Sequence, residues 1–105
     1  MAAVSMLTNS YPHVKNVTLS GTPDTMQEIQ IGANARRVEI VFTAAAGKVL
    51  SSGTDATVIT TEESFPVLAD SAWYYDIPRS AGSHSIYIAS GSASTVASII
   101  VTDGD

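Results

Sequence analysis

Apolar and β-branched residues alternate with small polar ones, in short runs, along most of the chain. A period of two is the mark of half-buried strands, not of helices. In 14–19, Val17 and Leu19 fall on one face and Asn16 and Thr18 on the other, before the turn residues Ser20-Gly21-Thr22-Pro23-Asp24. In 26–31, Ile29 and Ile31 point inward. In 37–43, Val38, Ile40 and Phe42 share a face opposite Glu39. Ala44-Ala45-Ala46 is too short to nucleate a helix and reads as a bend. Three short strands are predicted over 48–51, 56–61 and 65–68, and an extended segment over 70–79. The last two strands are 85–90 and 95–101, the latter apolar on both faces: Val96 and Ile100 lie opposite Ala97, Ile99 and Val101. Such a strand is central in its sheet, or its outer face meets another chain.

Strands spaced about ten residues apart, separated by turn residues, indicate an all-β sandwich or barrel. The start of the chain has no clean period, and Tyr11-Pro12 interrupts whatever precedes it. Residues 1–13 are therefore expected to form an N-terminal arm and 14–105 the β domain. The arm's Val4, Met6 and Leu7 are suited to docking on something. Its opening residues lack the basic region and long apolar run of a secretion signal, so neither a signal peptide nor a membrane span is expected.

Composition narrows the function. The 105 residues hold no cysteine, which removes disulfides and thiolate metal sites from consideration. Five basic against ten acidic residues give a net charge of −5, unsuited to a phosphate backbone, so no nucleic-acid partner is expected. Charged residues make up 14% of the chain, against about 25% in ordinary soluble domains. A surface this poor in charge fits one that is partly covered by other subunits.

Candidate chemistry is sparse. Ser83-His84-Ser85 places hydroxyls beside an imidazole in sequence, but neighbours along a strand face opposite ways. Two histidines are too few for a zinc or iron site. Asp55, Glu62 and Glu63, or Asp103 and Asp105, could in principle hold calcium, but the tail Asp103-Gly104-Asp105 lacks the density of a calcium loop and reads as a solvated acidic end. No phosphate-binding glycine loop is present. The reading is of a protein that is not an enzyme and carries no cofactor or metal. The aromatic segment Trp73-Tyr74-Tyr75 remains, with Trp73, Tyr75 and Ile77 on one face and Tyr74 and Asp76 on the other. Trp73 is expected in the core, and Tyr74 and Tyr87 outward.

The order Arg36-Arg37-Val38-Glu39-Ile40, Gly53-Thr54-Asp55, Trp73-Tyr74-Tyr75-Asp76-Ile77-Pro78, Ser85-Ile86-Tyr87-Ile88-Ala89-Ser90 and Ala93-Ser94-Thr95-Val96 resembles small virion proteins of tailed bacteriophages. The likeness covers residues 36–101 and includes no catalytic motif. It implies an antiparallel β-sandwich, jelly-roll-like, of about eight short strands. It also implies a structural role as a capsid cement or decoration protein, assembled in the bacterial host cytoplasm and lying on the virion capsid surface. The major capsid protein would be its partner, and a homo-oligomer, with a trimer favoured, its working form. Interface residues expected on this reading are Met6 and Leu7 in the arm, Arg36 and Arg37 at a strand start, and Tyr74, Asp76 and Arg79 around the aromatic strand. The alternative is a carbohydrate- or receptor-binding module of a phage tail or fibre, with Trp73, Tyr74 and Tyr87 stacking on sugar.

Overall fold

The computed structural model describes residues 3–7, 12–59, 64–78 and 82–103. Nine strands lie among them: β1 (Val4–Ser5), β2 (His13–Thr18), β3 (Gln27–Ile31), β4 (Arg37–Thr43), β5 (Gly47–Leu50), β6 (Phe65–Val67), β7 (Ala72–Asp76), β8 (His84–Ser90) and β9 (Val96–Thr102). They form two packed sheets, a β-sandwich. Sheet A runs β1-β3-β8-β5-β6 and sheet B runs β2-β9-β4-β7. Every pairing is antiparallel except β1 with β3. The antiparallel pairs β2–β9, β3–β8, β4–β7 and β5–β6 nest inside one another in sequence.

The alternation seen in the sequence sets the inner faces. Val38, Ile40 and Phe42 of β4 meet Ile29 and Ile31 of β3, Ile88 of β8 and Ala97, Ile99 and Val101 of β9 in one core, all at 0% exposure. Gly47 opens β5 where it does because a Cβ there would overlap the Phe42 ring. β9 is a central strand, paired with β2 and β4, so its inner face is in the core. Its outer residues Val96, Ser98, Ile100 and Thr102 are half-buried.

The N-terminal segment docks on the body of its own chain. Val4 and Ser5 pair beside Ile29 and Gln30, and the Met6 amide donates to the Gln30 carbonyl at 2.9 Å. Met6 itself is fully buried in the core cluster.

The strand expected over 56–61 is not formed. Residues 56–59 make one isolated bridge, Thr25 with Val58, and Thr60 and Thr61 lie outside the described residues. Ala56 takes a φ of +62°, which breaks an extended run. After β5 the chain instead crosses the outer face of sheet A. Gly53 lies against Met26 and Tyr87, the Asp55 carboxylate accepts from the Glu28 amide at 2.9 Å, and Met26 exchanges backbone bonds with Ala56 and Thr57. Leu50 and Ala89, on this outer side of sheet A, are buried.

Candidate functional site

The two sheets leave two long sides where the inner faces could meet water, and the chain treats them differently. On one side β1 and β2 are neighbours: Lys15 Nζ of β2 donates to the Ser5 carbonyl of β1 at 2.8 Å, and Met6 fills the space beneath. On the other side, the edge strands β6 and β7 meet through their rings. Phe65 lies 6.4 Å from Trp73, tilted by 48°, and Trp73 lies 6.2 Å from Tyr75 with the planes 14° apart. This side is open. A cleft of about 500 Å³ enters between the sheets, lined by Val49, Leu50 and Ile86, by the three rings, and by Ser51, Pro78, His84 and Ser85. Phe65 is 58% exposed and Tyr75 43%, whereas Trp73 is half-buried against the core.

The rings offered by the sequence for sugar stacking point three ways. Trp73 faces the cleft. Tyr74 stands on the far face of sheet B, and the Arg37 guanidinium sits 4.8 Å from its ring centre. Tyr87 stands on the outer face of sheet A, half-buried beside Gly53. Burial raises the Tyr87 hydroxyl above its ordinary pKa, with the carboxylates of Glu28 and Asp55 adding to the shift. A ring set does exist, but it is Phe65, Trp73 and Tyr75. Phe65 carries a signal that was available in the sequence: the following Pro66 has no N–H for a ladder, which marks an edge strand and so an exposed ring.

Three of the expected interface residues come together. Arg37 Nε donates to Asp76 Oδ1 at 2.8 Å across the β4–β7 pair, beneath Tyr74, with Glu39 4.0 Å from Arg37. That hydrogen bond, and then the charge of Asp76, raises the Arg37 pKa further. Arg36 adjoins the group through a shallow hollow shared with Arg37, Asp76 and Thr102. Its own Nη1 is spent on the Ala33 and Ala35 carbonyls. The other expected residues do not join this group. Met6 is taken up in the chain's own core, Leu7 is 51% exposed beside the arm, and Arg79 lies outside the described residues.

The Ser83-His84-Ser85 run makes no catalytic pair. Ser85 donates to Glu28 Oε2 at 2.7 Å, while His84 Nδ1 lies 3.0 Å from the Gly82 carbonyl. A carbonyl only accepts, so Nδ1 carries the proton. Among the described residues no three imidazole or carboxylate groups converge as a metal site, and no helix is long and apolar enough to cross a membrane.

The outer faces of the sheets differ as much as the sides do. The loop over 51–59 crosses the outer face of sheet A. Sheet B's outer face is open to solvent, and the register aligns Val14, Ile100, Glu39 and Tyr74 across all its strands. The next row is Asn16, Ser98, Val41 and Ala72. Val14 is 54% exposed and Tyr74 58%. No family model, curated protein or solved structure matches the chain.

Proposed function

We propose that this chain is a structural virion protein of a tailed bacteriophage, a capsid cement or decoration protein that holds neighbouring shell subunits together from outside. The nested strand pairs read as a jelly roll, an architecture suited to capsid and lectin domains alike. The observation that carries the reading is the outer face of sheet B. It is a β surface in which Val14, Ile100, Val41 and Val96 lie open or half-open to water, with the charges of Arg37, Glu39 and Asp76 on the β4–β7 pair, while the matching face of sheet A is crossed by the chain's own loop. Apolar positions of this kind are inexpensive to desolvate against another protein. The Arg37–Asp76 pair and Tyr74 at one edge supply orientation: a charged pair and an exposed ring favour one docking register over others.

Holding a shell needs no reaction. Several modest contacts, repeated in a homo-oligomer on the major capsid protein, act together through effective concentration, so release requires breaking them nearly at once. The test is immunogold electron microscopy of the phage particles that carry the chain, with antibody raised against the purified protein. Regular labelling of the shell is expected. Gold confined to the tail, or to no part of the particle, overturns the reading.

A further inference from the structure

The cleft between β7 and strands β5, β6 and β8 lies apart from the assembly face and does something that face cannot. Its volume of about 500 Å³ is that of a small-molecule site, not of a packing defect. Trp73 and Tyr75, two residues apart on one strand, stack with their ring centres 6.2 Å apart and their planes 14° apart, and Tyr75 remains 43% exposed. Among the described lining residues there is no carboxylate, lysine or arginine. The cleft is not purely apolar either. With His84 Nδ1–H committed to the Gly82 carbonyl, Nε2 is the ring nitrogen left to accept from a ligand, and Ser51 adds an exposed hydroxyl.

From these features we propose that the cleft binds a neutral saccharide, with one sugar ring seated against the exposed Tyr75 ring that stacks on Trp73 and a hydroxyl donated to His84 Nε2. A pyranose ring has the required two-sidedness. Its C–H face carries weak positive charge, which the negative face of an aromatic ring attracts, and its edge carries hydroxyls. A lipid tail would leave the imidazole and hydroxyl unpaired, and an anionic sugar would find no lysine or arginine among the described lining residues.

Trp73 is the single tryptophan of the chain, so its emission reports the cleft directly. The full chain is titrated with neutral oligosaccharides of glucose, mannose, xylose and N-acetylglucosamine, and with polygalacturonate as the anionic control. Emission and acrylamide quenching are read together. At least one neutral oligosaccharide should shift the emission saturably and reduce quenching about twofold or more, with polygalacturonate inert. Tyr75→Ala should weaken that binding about tenfold or more, and Val58→Ala, on the loop over sheet A, should leave it unchanged. The proposal is overturned if no neutral oligosaccharide acts at about 10 mM, a limit of very weak binding. It is equally overturned if Tyr75→Ala binds like the wild type, or if raising the protein concentration alone shields Trp73, which would make the occupant a second copy of the chain.

Discussion

Lys15 Nζ donates a hydrogen bond to the Ser5 carbonyl at 2.8 Å, tying the edge strand of one sheet to the edge strand of the other. No such tie joins β6 to β7 among the described residues, where two aromatic rings meet at 6.4 Å instead. The sandwich is thus closed on one side by its own N-terminal segment and open on the other.

The closure rests on Met6 more than on its neighbour. Met6 is at 0% exposure and Leu7 at 51%, one residue apart. Met6→Ala is expected to cost about 2–5 kcal/mol, the range for emptying a packed site. Leu7→Ala should stay within about 0.5 kcal/mol. Urea denaturation of the two variants checks this, and equal midpoints would mean that the segment does not dock as described.

Ala44 holds a φ of +71° at the bend after β4, where its amide donates to Asp70 Oδ1 at 3.3 Å. An L-residue with a Cβ is strained there, and glycine is not. Relief of strain outweighs the added freedom of the unfolded chain, so Ala44→Gly should raise stability by about 0.5 kcal/mol. Ala44→Val should lower it by about 1 kcal/mol or more. Thermal denaturation of the pair reads the opposite signs.

Tyr87 predicts an alkaline weakness. In the unfolded chain its hydroxyl releases a proton near 10.0, while in the fold burial and two nearby carboxylates hold the proton to higher pH. Above that pH the folded state binds more protons than the unfolded one, so this contribution is present below 10 and is lost as pH rises through the folded value. Tyr87→Phe should flatten that decline. Urea midpoints at about pH 9 and about pH 11 should fall less in the variant than in the wild type, and equal falls would contradict the burial of Tyr87.

Much of this was legible in the sequence, because a strand's period is a local property. Val38, Ile40 and Phe42 announce an inner face, and β4 spans the expected 37–43. The two-sided apolar pattern of β9 anticipated a central strand. What was not legible depends on contacts distant in sequence. Residues 56–59 have a strand's composition, yet a positive φ at Ala56 and the pull of Asp55 toward Glu28 turn them into a cover for sheet A. Tyr74 and Asp76 share a face already in the sequence, but only the β4–β7 register brings Arg37 to them. Phe65 joins Trp73 and Tyr75 across two sheets, a meeting that no spacing along the chain encodes.

The claim that the outer face of sheet B is the assembly surface is tested most directly by the heat resistance of tailed-phage shells stripped of this protein and then given it back. Two forms are added: the wild type, and Ile100→Glu, which sets a carboxylate beside Glu39 in the middle of that face without entering the core. With circular dichroism showing both forms folded, the wild type should restore the shells' resistance to heating and Ile100→Glu should not. Restoration by both forms alike, or stripped shells as resistant as decorated ones, would contradict the account.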